Sequence, residues 1–98
     1  MDIKPLKPLT IIAESSIKYW FDKTYGNTYC SARIYINLDY SNPIYLPFQS
    51  GGVSYCEQLI LEELEKLGID PRASDVFWIR KQEQTLQRYA REWGKANG

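Results

Sequence analysis

The sequence contains no histidine, no surplus of either charge and only two cysteines. Each absence removes a class of chemistry. Without histidine there is no ordinary general base near neutral pH, no imidazole ligand for zinc or iron, and no Ser-His or Cys-His nucleophile. Cys30 and Cys56 stand far apart in the chain with no C-x-x-C pair, so neither a zinc knuckle nor a thioredoxin-like redox site is built from them. They read as two buried thiols, with a disulfide left open on spacing alone. The start MDIKPLKPLT has no apolar core of a secretory signal, which makes a reducing cytoplasm the expected compartment. No apolar run approaches the roughly 20 residues of a membrane helix, so no membrane is expected as a partner. No G-x-G-x-x-G or P-loop pattern occurs, and Gly51-Gly52 is too short to cradle a pyrophosphate.

What is present is a chain of 98 residues, 44% apolar and 14% aromatic, with twelve basic and twelve acidic side chains. That length closes one hydrophobic core, so residues 1–98 are expected to form a single domain. The balance of charge weighs against a protein that neutralises many phosphates. Its distribution is uneven. Residues 54–71 carry Glu57, Glu62, Glu63, Glu65 and Asp70 against Lys66, whereas 72–98 carry Arg72, Arg80, Lys81, Arg88, Arg91 and Lys95 against Asp75, Glu83 and Glu92.

Pro5 and Pro8 interrupt any regular ladder in residues 1–9, which read as an extended arm. From Thr10 to Phe21, Ile17, Tyr19 and Phe21 alternate with Ser16, Lys18 and Trp20, the period of a half-buried strand. Residues 22–27 carry turn formers. Thr28 to Asn37 is the clearest strand, with Cys30, Ala32, Ile34 and Ile36 on one face and Tyr29, Ser31, Arg33, Tyr35 and Asn37 on the other. After the Asn42-Pro43 turn, a third strand over Ile44–Gln49 is expected to turn Ile44, Leu46 and Phe48 inward and Tyr45, Pro47 and Gln49 outward.

Ser54 and Glu57 form an S-x-x-E capping box at the head of a helix over 54–67. Cys56, Leu59, Ile60, Leu64 and Leu67 make its apolar stripe, with Gly68 as the stop and Ile69 folding back on the last turn. The run Val76–Ile79 is ambiguous between strand and helix. Leu86, Tyr89, Ala90 and Trp93 then recur at helical spacing, which predicts a helix over 79–93 stopped by Gly94. The fold expected is α+β: a three-stranded antiparallel sheet packed against one helix in residues 10–69, followed by a C-terminal helical segment over 70–98.

Ten of the fourteen aromatic residues fall between Tyr19 and Tyr55, and the outward sheet face displays several of them beside cations. Trp20, Tyr25, Asn27, Tyr29, Arg33, Tyr35, Tyr45 and Gln49 are the candidate partner-binding residues. Three uses fit that composition. Tyrosine, tryptophan and arginine dominate protein interfaces; aromatics beside a cation stack unpaired bases; and the C-terminal helix, folded over the face, would make it a second small core. No carboxylate pair suits acid–base work, because Glu62, Glu63 and Glu65 share the solvated side of one helix. No enzyme activity, cofactor or metal is expected.

Three stretches, FDKTYGNTYCSARIYIN at 21–37, LPFQSGG at 46–52 and YCEQLILEELEKLGI at 55–69, together resemble small, uncharacterised proteins encoded by bacteriophages and prophages. The likeness covers about half the chain and carries no catalytic residues; Val53 stands where that pattern has an aromatic. What it implies is a phage accessory protein that binds a host or phage protein and inhibits a defence or replication component. Single-stranded nucleic acid is the second expected partner, and a homodimer joined by a sheet edge or by the C-terminal helix the third. A looser similarity to the double-stranded-RNA-binding domain fails on charge, since Ser54, Tyr55, Cys56 and Glu57 stand where that domain has lysines.

Overall fold

The computed structural model describes residues 10–96, and the arm expected over 1–9 lies outside the described residues. Strands β1 (Ile11–Asp22) and β2 (Asn27–Ile36) form the antiparallel hairpin that their alternation requires. Asp22 closes its turn twice over. The carboxylate accepts the Thr24 amide at 2.9 Å and the carbonyl accepts the Gly26 amide at 2.7 Å. Strand β3 (Ile44–Ser50) pairs antiparallel with the free side of β2.

The register of β3 departs from strict alternation. Cys30 faces Gln49 while Ala32 faces Leu46, so Pro47 and Phe48 share the space opposite Ser31 in a β-bulge. Pro47 has no amide to contribute to a ladder, and the extra residue exchanges the faces beyond it. Phe48 therefore stacks on Tyr29 on the face expected to be outward, and Gln49 takes the face of Cys30.

Helix α1 (Val53–Lys66) crosses one face of the sheet and buries Cys56, Ile60 and Leu64 completely, one helical turn apart. Against them lie Ala13, Ile17, Cys30, Ala32, Ile34 and Leu46, the aliphatic rows of all three hairpin strands. Each large side chain so buried contributes about 1.5–3 kcal/mol before entropy is counted. The capping box does not form. The helix starts one residue early, with Gly52 as its N-cap and no side-chain hydrogen bond there, because Val53 packs onto the core from the first helical position. Leu59 is half-buried and Leu67 exposed, so the stripe is narrower than its spacing implies. The C-terminus follows expectation: Gly68, at φ +74°, donates to the Glu65 carbonyl, Ile69 donates to the Leu64 carbonyl, and the Ile69 side chain is buried.

The largest difference from the sequence reading lies after Asp75. Residues Val76–Gln84 form a fourth strand, β4, which runs parallel to β1 along its whole length and makes the sheet mixed, in the order β3-β2-β1-β4. The helix expected over 79–93 is confined to α2 (Gln87–Trp93). A β-branched and aromatic start, Val76-Phe77-Trp78-Ile79, favours extension, and the unpaired edge of β1 then carries the polar residues Arg80–Gln84 with it.

From the end of β4 the chain turns onto the sheet face opposite α1, and α2 lies across β1, β2 and β3. Gly94, buried at its end, sits against the β3 backbone: a Cβ there would stand 2.8 Å from the Leu46 carbonyl oxygen and from the Phe48 amide nitrogen. Its φ is an ordinary −87°, so the constraint is one of space rather than conformation. Gly94→Ala is expected to destabilise the fold by about 1–3 kcal/mol, the range of overpacked sites, read as a lower urea midpoint. An unchanged midpoint would mean that the tail does not rest on β3.

Candidate functional site

The sheet face away from α1 is where the sequence places an open aromatic plateau, and α2 roofs its centre. Ser31, fully buried, donates its hydroxyl to the Ala90 carbonyl. The Arg33 Nε donates to the Trp93 carbonyl at 2.9 Å, and its guanidinium lies 4.0 Å from the Trp93 ring centre and 5.2 Å from that of Tyr45. Lys18 approaches the same tryptophan at 4.6 Å, and the Trp93 indole N–H donates to the Ser16 carbonyl at 2.9 Å. A single side chain thus gathers two cations and a backbone carbonyl. Such contacts are worth about 0.5–2 kcal/mol each according to how far they are desolvated.

The candidate residues divide around this roof. Tyr35 is buried, edge-on to Tyr40 with ring centres 4.8 Å apart. Tyr40 donates to the Glu14 carboxylate at 3.2 Å, and Lys81 reaches the same oxygen at 3.8 Å. Glu14 is only 4% exposed, so these two partners offset the cost of holding a carboxylate in the sheet. Desolvation, the hydrogen bond to Glu14 and the charge of that carboxylate hold the Tyr40 hydroxyl above the usual phenol range. Arg33 and Tyr45 are half-buried beside Trp93, and Gln49 sits on the α1 side, its amide turned to the Pro47 carbonyl at 3.1 Å.

Trp20, Tyr25, Asn27 and Tyr29 remain together at the hairpin end, beyond α2. Trp20 and Tyr29 pair across the strands with ring centres 5.5 Å apart, and Tyr29 stacks on Phe48 at 5.3 Å with 7° between the planes. Arg91 of α2 caps the row, 4.9 Å from the Phe48 ring centre. All three rings are half-buried, while Tyr25 in the turn is 78% exposed and Asn27 is exposed beside it. The bulge brings Phe48 here and the α2 crossing brings Arg91; neither is legible from alternation or helical spacing.

On the other face, Cys30 and Cys56 are fully buried free thiols in the core between β2 and α1. The neighbouring Cys30 thiol, then burial, pushes the Cys56 thiol up. A buried, protonated thiol is a poor nucleophile. An open groove of about 800 Å³ runs between α1 and β4, walled by Glu57, Leu61 and Glu65 on one side and by Trp78 and Arg80 on the other. Among the described residues no three cysteine, aspartate or glutamate side chains converge as a metal site, and no helix is long and apolar enough to cross a membrane. No family model, curated protein or solved structure matches the chain.

Proposed function

We propose that the chain is a non-catalytic binding protein of the bacteriophage accessory type, which occupies the surface of a host or phage protein in the bacterial cytoplasm and inhibits it. The observation that carries this reading is the row Trp20, Tyr29, Phe48 with Arg91 at its end, flanked by the exposed Tyr25. These are the residue types that anchor protein interfaces, and here strand pairing and stacking hold them rigid before any partner arrives. A protein of neutral net charge that presents such a row acts by covering a surface, and a host defence or replication component is the target that the phage resemblance suggests. Nucleic acid is less well served, because Arg33 and Tyr35, which would grip and stack a strand, are engaged inside the fold.

The test is capture from lysate of the bacterial host, with and without phage proteins, by wild type and by the double variant Trp20→Ala/Tyr25→Ala. A specific protein retained by wild type is expected to lose on the order of 10-fold or more in affinity with the variant, whose circular dichroism spectrum stays native. Equal capture by both proteins contradicts the reading. So does binding of a labelled single-stranded oligonucleotide that weakens steeply with salt.

A further inference from the structure

The two edges of the sheet are treated differently. β3 is short, contains Pro47 and is broken by the bulge, all devices that spoil an edge for further pairing. β4 has none of them: its nine residues carry no proline and no irregularity, and among the described residues nothing pairs with its outer side. The Thr85 amide donates to the Tyr19 carbonyl, so in a regular strand residues 77, 79, 81 and 83 also turn their backbone groups to β1. The amides and carbonyls of Trp78, Arg80, Gln82 and Gln84 therefore point outward. We propose that β4 pairs antiparallel with β4 of a second copy about a two-fold axis at Gln82, joining two sheets into one of eight strands.

The register follows from charge. In a two-fold antiparallel pair, outward-pointing residues must face one another, which leaves an axis at one of residues 79 to 83. An axis at Arg80, Lys81 or Glu83 sets each of those charges against its own copy, and an axis at Ile79 sets Glu83 against Asp75. Like charges directly opposite destabilise a pair of strands. Only Gln82 is free of such conflict. It places Lys81 opposite the second copy's Glu83, and the reverse, on the face where Glu83 already meets Lys18 at 3.3 Å and Lys81 already meets Glu14 at 3.8 Å. The result is two symmetry-related alternating rows, each running Lys18, Glu83, Lys81, Glu14 and each crossing the seam once between Glu83 and Lys81. A strand of unrelated sequence would not complete them.

Light scattering over a concentration series is expected to show a monomer–dimer equilibrium that Gln82→Pro shifts to monomer. Proline there deletes an outward N–H and an exposed side-chain hydrogen bond to Glu57 but no bond of the β1–β4 ladder, and circular dichroism checks that the fold is kept. Independently, Gln82→Cys is expected to give a reducible dimer with oxidised glutathione, two thiols forming one disulfide as glutathione disulfide becomes two glutathiones. The two Cα atoms would face each other at about 5.5 Å, within disulfide reach. Gln84→Cys is the control, since its two copies would stand about 14 Å apart, beyond that reach. Scattering mass of a single chain at every concentration overturns the proposal, as does cross-linking of Gln84→Cys as readily as Gln82→Cys. The seam lies away from the Trp20 row, so this result and the capture experiment fail or succeed separately.

Discussion

Trp93→Ala is expected to destabilise the protein by about 3 kcal/mol, the lower end of the range for removing a large aromatic because Trp93 is half-buried rather than enclosed. In a domain of this size that lowers Tm by roughly 12–24 °C. The loss has three sources, each seen in the contacts of the ring. Arg33 and Lys18 forfeit the ring that both approach, the Ser16 carbonyl loses the indole N–H, and α2 loses its anchor on the sheet. Trp93→Phe keeps a ring and gives up the N–H, so it should recover much of the difference. A variant as stable as wild type would show that α2 does not hold to the sheet face.

Ile60→Ala should cost about 2–5 kcal/mol through the opposite face. Ile60 is fully buried at the middle of the α1 stripe, between Cys56 and Leu64, where a cavity cannot collapse without moving the helix. Ile60→Val removes one methylene and is expected to cost about 0.5–1.5 kcal/mol. The two substitutions together distinguish a packed interface from a loose one. If Ile60→Ala cost no more than Ile60→Val, the helix would not be seated on the hairpin as described.

The hairpin, α1 and the end of α1 were legible because each is set by local pattern. Cys30, Ala32, Ile34 and Ile36 share a face by alternation alone, and the Gly68-Ile69 stop is local hydrogen bonding. β4 was not legible: Val76–Ile79 fits strand and helix alike, and the rest reads as helix. Arg80–Gln84 carries no alternation and little strand propensity, and it is extended because the unpaired edge of β1, more than sixty residues earlier in the chain, accepts it. The tail misled for a related reason. Leu86 and Tyr89 fit a helical stripe yet are exposed, whereas the residues that seat α2 are Ala90, Trp93 and Gly94.

The candidate site was legible as a composition and not as a place. Aromatic residues and cations concentrate on one face of β1 and β2 as their alternation requires. Which of them stay open depends on where the tail lands, and that is fixed by contacts 59 to 77 residues apart, such as Ser31 with Ala90 and Ser16 with Trp93. The bulge at Pro47-Phe48 moved one ring onto the face and turned Gln49 away from it. Both effects shift the open aromatic surface from the middle of the sheet to the hairpin end.

The position of Trp93 over the sheet is the claim on which this division of the face depends, and proton NMR of the free protein tests it most directly. The Arg33 and Lys18 side chains lie over the indole, so their terminal methylene resonances are expected far upfield of unstructured values, with cross-relaxation between them and the Trp93 ring and slow solvent exchange of its indole N–H. Unshifted Arg33 and Lys18 resonances together with a rapidly exchanging Trp93 indole would contradict it, and would return the centre of the sheet face to solvent.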